Sequence, residues 1–191
     1  MEKNPDPARV RRGRLKLALL GAFFVLPMVA AWAIWRFDLA PGAAGNYGTL
    51  LSPRPVAFPA LAALKGKWVL VHFDAGACAQ ACERKHYFMR QVRRAQGREM
   101  ERVGRVWVVT DAAQPSPALL AAIEGTVIVR DGAAVAASFP AERAVADHIY
   151  LVDPLGNLMM RFPAGMDAAA AARVKTDLDR LLRPATHRHD R

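Results

Sequence analysis

From Leu17 to Trp35 the chain runs through nineteen residues, LALLGAFFVLPMVAAWAIW, without a charged side chain. That length is close to the ~20 apolar residues a helix needs to cross the hydrocarbon core of a bilayer. Pro27 is tolerated in a membrane helix and awkward in a soluble one, and Trp32 and Trp35 near the far end suit the headgroup region. The apolar region of a cleaved signal peptide is shorter, about 7–15 residues, and ends at a small-x-small site. Here the run continues into Trp35-Arg36-Phe37, with only a weak small-residue context at Ala40–Ala44. An uncleaved anchor is the expectation.

Orientation follows from charge. The first 16 residues hold Lys3, Arg9, Arg11, Arg12, Arg14 and Lys16 against Glu2 and Asp6, a net of +4, whereas only Arg36 and Asp38 closely follow the span. Basic flanks stay in the cytoplasm, which sends the rest of the chain across the inner membrane to the periplasm, where a cysteine pair can be oxidised. Of the overall +10, four charges belong to this arm. The remaining basic residues, such as Arg90, Arg93, Arg94, Arg98, Arg102 and Arg105, alternate with acids and apolar residues and form no aromatic-basic platform. That argues against nucleic acid as a partner and for a solvated basic face, suited to an acidic partner or anionic lipid.

The 191 residues suit one domain plus an appendage, at ~100–200 residues per domain. The expected order is a basic cytoplasmic arm (1–16), the transmembrane helix (17–35), a Pro/Gly-rich linker (36–60), a domain over 61–185 and a flexible tail (186–191). Asn46-Tyr47-Gly48 and Pro53-Arg54-Pro55 give the linker its semi-extended character. Within the domain, strands are expected over Trp68–Phe73, Val103–Thr110, Thr126–Arg130, His148–Val152 and Asn157–Phe162. The last two flank the turn Asp153-Pro154-Leu155-Gly156. Helices are expected over Cys78–Gly97, Pro117–Glu124 and from the N-cap Asp167 to Leu182, before Pro184. Strands interleaved with helices, then a hairpin and a closing helix, describe an α/β sandwich.

Cys78 and Cys82 are the only cysteines. At a helix start their i, i+4 spacing puts both thiols on one face. The helix N-terminus, Arg84 and Lys85 favour the thiolate, the nucleophile and soft metal ligand. Such a pair can close a disulfide or clamp a soft ion such as Cu(I). As a structural staple it would close a loop of only five residues, and loop-closure stabilisation shrinks with the loop. Function is therefore the stronger reading.

Other donors compete. His86 extends Cys78 and Cys82 into one helical stripe, a set adequate for Cu(I) or Zn(II). In a straight helix, however, His86 stands ~12 Å along the axis from Cys78. His187 and His189 lie in the terminal tail. Met159, Met160 and Met166 suit core filling better than ligation. Asp74 either tunes the thiols or begins a turn. Gly125 and Gly132 stand alone, so there is no phosphate-cradling loop, and Gly-x-Ser-x-Gly and His-Glu-x-x-His are absent from the sequence.

The segment Val69-Leu70-Val71-His72-Phe73-Asp74-Ala75-Gly76-Ala77-Cys78 resembles the first active-site strand of thioredoxin-like proteins, and the Cys-x-x-x-Cys gap is similar to that of the Sco/SenC family. Asp147-His148 followed by Tyr150-Leu151-Val152-Asp153-Pro154-Leu155-Gly156, and the closing Leu181-Leu182-Arg183-Pro184, extend the likeness over about residues 61–185. The resemblance implies a thioredoxin-like three-layer sandwich behind the anchor and a role in cytochrome c oxidase biogenesis. It implies Cu(I) held by Cys78, Cys82 and His148, or thiols of the oxidase copper site kept reduced, with an oxidase subunit or another redox or copper-transfer protein as partner. His72 falls where thioredoxins place a buried acid that helps deprotonate the resolving cysteine, and an imidazole with a reference pKa near 6.5 suits that work. Two alternatives stay open. One is a general membrane-tethered thiol–disulfide oxidoreductase without copper, using Cys78 as the attacking thiol. The other is a non-catalytic assembly factor that keeps the fold.

Overall fold

The computed structural model describes residues 7–37, 45–130 and 132–183, and the chain divides into two units after Gly45. The described residues of the first form the helix α1 (Pro7–Arg36), with Pro27 inside it. Its apolar side chains, Phe23, Phe24, Leu26 and Met28 among them, are exposed. Among the described residues it is the one helix long and apolar enough to cross a membrane, and at ~1.5 Å per residue it is ~45 Å long. It begins well ahead of Leu17, because the basic arm from Pro7 onward continues the same helix.

The second unit begins at Asn46. Its elements are β1 (Thr49–Pro55), α2 (Pro59–Ala63), β2 (Trp68–Asp74), α3 (Gln80–Arg94), β3 (Val103–Val109), α4 (Pro117–Ala122), β4 (Val127–Val129), α5 (Gly132–Ala136), β5 (His148–Val152), β6 (Asn157–Pro163) and α6 (Ala168–Leu182). They build one six-stranded sheet in the order β1-β6-β5-β2-β3-β4. β2, β3 and β4 are parallel, while β5, β6 and β1 add in antiparallel fashion.

The period-2 alternation of strand side chains divides the core between two faces. Val69, Val71 and Phe73 of β2 join Val106, Val108, Tyr150 and Val152 against Phe58, Ala60, Val135 and Phe139, the side covered by α2 and α5. Leu70, Ile149, Leu151, Met160 and Phe162 pack on Met89 and Val92 of α3 and on Val174, Leu178 and Leu182 of α6. The result is three layers, with β2 and β3 at the centre covered on both sides. This is why both strands read as nearly unbroken apolar runs. Each large apolar side chain so buried contributes about 1.5–3 kcal/mol.

Local chemistry sets the boundaries. Asp153 Oδ1 accepts from the N–H groups of Leu155 (2.9 Å) and Asn157 (2.7 Å), and Gly156 takes φ +90°, so the turn between β5 and β6 closes as the sequence predicts. Ser116 caps α4, and Asp167 Oδ1 caps α6 through the N–H of Ala170 (2.6 Å). The 36–60 segment is not all linker. Its second half supplies β1 and the start of α2, and Val56, Phe58 and Ala60 enter the core. The tail 186–191, with His187 and His189, lies outside the described residues.

Candidate functional site

β2 ends at Asp74 with its even-numbered side chains, Leu70, His72 and Asp74, directed to the α3 face. The chain then turns over Ala75–Ala79 into α3. Cys78 donates its N–H to Ala75 O (3.0 Å) and takes φ +47°, a left-handed conformation uncommon for a residue with a Cβ. Cys78 is therefore not part of the helix, which starts at Gln80 after the cap position Ala79. Cys82, on the first turn, is joined to it as a disulfide with a Cα–Cα distance of 5.1 Å. Both are buried with Trp107, Val109 and Ile123. Asp111 anchors the loop: its Oδ1 accepts from Gly76 N–H (2.7 Å) and Ala113 N–H (3.2 Å). A side chain at Gly76 would run into the Ala113 carbonyl.

The left-handed turn at Cys78 changes which donors meet. Because Cys78 is turned out of helical phase, its sulfur, that of Cys82 and a ring nitrogen of His86 all lie within 4.8 Å of one another. The ~12 Å separation expected from a straight helix does not apply. His86 is buried and its Nε2 has no hydrogen-bond partner. Its ring stands edge-on to Trp107 (centroids 4.9 Å apart, 82°) and to His72 (4.4 Å, 90°). Burial, then the positive charges of Arg105 and Lys85, push the His86 imidazole down to about 4.

His72 is fully buried behind His86, stacked on Trp107 at 6.0 Å and 9°. Neither ring nitrogen has a hydrogen-bond partner. Burial, then His86 and Lys85, hold its pKa well below 6.5, so it is neutral throughout the physiological range. His72 is also outside the converging donor group.

His148 is not brought to the cysteines. It pairs with Pro163 at the start of β5, and by strand alternation it shares its side of the sheet with Tyr150, away from α3. Its ring meets that of Tyr150 at 5.8 Å. Burial, then Arg161, lowers its pKa, with Asp147 and Glu142 acting in the opposite direction. The tyrosine-strand motif was read correctly as a strand, but its parity sends this imidazole to the wrong face for the third-ligand role.

Lys85, expected to assist the thiolate, is committed elsewhere. It is buried and pairs with Asp74 (2.5 Å), while its Nζ donates to Phe73 O (3.0 Å) and Ala146 O (2.8 Å). Asp74 thereby serves to hold α3 against the end of β2. Met160 and Met166 are core residues, and Met159 packs against the same cluster. Three contributors escaped sequence reasoning: Trp107, which walls the site, Asp111, which fixes the loop, and Arg105, buried beneath α3 and donating to Glu124 O (2.6 Å). In the folded chain, parallel register sets Trp107 of β3 beside His72 of β2.

No curated protein matches the sequence. Among solved structures, the chain is similar to apo Sco1 from Thermus thermophilus, with 21% identity and a TM-score of 0.53 over 73% of this chain and 99% of that one. It is also similar to copper-bound ScoI from Bradyrhizobium japonicum (23%, 0.46, 60% and 87%) and to the thioredoxin domain of a thiol-disulfide oxidoreductase from Bacteroides vulgatus (18%, 0.47, 71% and 97%). At these identities the likeness concerns the fold. The first of them, with the mixed sheet between two helical layers, makes the second unit thioredoxin-like. Over residues 68–185 the sequence matches the family described as transmembrane-like, thioredoxin-like, C-terminal domain, which takes in the cysteine loop, the strand bearing Trp107 and the closing helix. The chain therefore belongs to the family of transmembrane-like, thioredoxin-like C-terminal domains.

Proposed function

We propose that this chain is a single-pass membrane protein with a periplasmic thioredoxin-like domain that serves cytochrome c oxidase biogenesis in the manner of Sco proteins. Cys78 and Cys82 pass Cu(I) to the oxidase copper site, or keep its thiols reduced by turning a disulfide there into two thiols while closing their own disulfide. The observation that carries this reading is the disulfide at the β2–α3 connection, with the buried imidazole of His86 beside it, its Nε2 without a hydrogen-bond partner. Two thiolates and an imidazole form a soft donor set suited to Cu(I), and the same two sulfurs alternate between disulfide and dithiol. Copper here is cargo, held when the pair is reduced. A second reading, a membrane-tethered thiol–disulfide oxidoreductase without copper, is favoured by the placement of His148 on the opposite side of the sheet.

The test is anaerobic Cu(I) titration of the reduced full-length chain in detergent, beside Cys78→Ala and Cys82→Ala. One equivalent bound by the wild type and lost in both variants is expected. A reduced wild type that binds no Cu(I), yet exchanges its dithiol with a disulfide-bonded peptide, would remove copper and leave the second reading.

A further inference from the structure

We infer that His86, not His148, is the third ligand of the Cu(I) site, and that it is the donor through which the cargo is exchanged. The assignment rests on the reading of the cysteine pair as a Cu(I) carrier. Three atoms each bound to one ion at ~2.0–2.3 Å stand roughly 4 Å apart; in the disulfide form a ring nitrogen of His86 lies within 4.8 Å of both sulfurs, and on reduction the two sulfurs part toward that spacing. The side chain of His86 is buried, and its Nε2 has lost water without gaining a hydrogen bond. Such an orphaned polar atom is costly in a dry interior and is accounted for when the ring binds an ion. Trp107 and His72 pack edge-to-face against the ring on the sheet side. They fix its orientation as the walls of a built site do.

Access distinguishes the three donors. A cavity of about 320 Å³ between α3 and α4 is lined by His86 together with Glu83, Tyr87, Arg90, Leu119 and Ile123, and neither cysteine is among its lining residues. The imidazole edge thus borders a cavity that the sulfurs do not line, the side from which we infer that a partner's donor approaches. Loading balances in two steps. A dithiol reductant gives two electrons and two protons to the Cys78–Cys82 disulfide and leaves as its own disulfide. Cu(I) then binds the two sulfurs with release of their protons to solvent, and the His86 lone pair completes the set. Unloading begins with exchange of the imidazole for a partner's thiolate.

The experiment uses the full chain in detergent, reduced and anaerobic, with Cu(I) competed against bicinchoninate and coordination read by copper K-edge absorption. Wild type is expected to hold one Cu(I) on two sulfurs and one nitrogen. His86→Ala and the volume-keeping His86→Phe are expected to keep both sulfurs, lose the nitrogen and weaken binding at least tenfold. His148→Ala is expected to match wild type. Far-UV circular dichroism and the rate of disulfide reduction by a dithiol report that the variants keep their fold. Two sulfurs and an unchanged nitrogen in both His86 variants, or loss of the nitrogen in His148→Ala, overturns the assignment while leaving the copper reading intact. Absence of Cu(I) from the reduced wild type overturns both.

Discussion

Tyr150 lies fully buried in the middle of β5, its hydroxyl donating to the carbonyl of Pro140 (2.9 Å). Burial pushes this phenol up to about 12, with Arg161 pulling in the other direction. In the unfolded chain it ionises near 10. Between about pH 10 and 12 the unfolded chain has therefore lost a proton that the folded chain keeps. The stabilisation is complete below 10 and disappears as pH rises through that window, by about 2–3 kcal/mol in all. Denaturant unfolding at pH 9, 10 and 11 is expected to give a shallower decline for Tyr150→Phe than for wild type, and equal slopes would show that the phenol is not held neutral. The neighbour of Tyr150 on that side of the sheet, His148, marks where residue-scale reading of the sequence stopped. Counting toward the tyrosine strand located the imidazole within a few residues. Which side of the sheet it faces depends on strand register, and a one-residue step reverses it. His86 was visible as one helical turn beyond Cys82. Its reach to Cys78 depended on a positive φ at a non-glycine residue, which no local pattern announces.

At the scale of elements, β1 is held on the sheet edge by more than its ladder with β6. Asp177, buried in α6, accepts from the backbone N–H groups of Tyr47 (2.8 Å) and Gly48 (3.0 Å), and Arg173 lies over the Tyr47 ring at 4.3 Å. The entry to the strand is thus fastened to the closing helix. Gly48 is packed where any side chain would strike Met160 and Phe162. Asp177→Ala strands a buried backbone donor and removes two charge-assisted bonds, a cost of about 2–4 kcal/mol on general grounds. Hydrogen exchange is expected to accelerate across Thr49–Pro55 while the centre of β2 stays protected. Unchanged exchange in β1 would show that the strand needs no such fastening. This is also the element the sequence concealed. Pro53-Arg54-Pro55 reads as a linker, yet an edge strand accommodates proline and charge on its unpaired side, and the register of β1 slips between Leu50 and Arg54. The central strands and the β5–β6 turn were legible because burial on both faces and an Asp-Pro-x-Gly turn leave few alternatives.

For the molecule as a whole, the proposed function requires the cysteines and the basic arm on opposite sides of a membrane. Six basic residues against two acidic ones precede the apolar run, the kind of flank the positive-inside rule assigns to the cytoplasm, as the proposed function requires. A cysteine pair that cycles through a disulfide suits an oxidising compartment, which is the side of the membrane that the proposed function gives it. Alkaline phosphatase fused after Arg191 is expected to be active in a bacterial host and β-galactosidase at the same point inactive. Replacing Arg9, Arg11, Arg12 and Arg14 by Glu reverses the net charge of the first 16 residues from +4 to −4. Phosphatase activity is then expected to fall severalfold, and maleimide labelling of the trapped fraction to find Cys78 and Cys82 as free thiols. An active β-galactosidase fusion on the wild-type arm would place the cysteines in the cytoplasm. It would remove the periplasmic oxidase site from reach, whatever metal the pair binds.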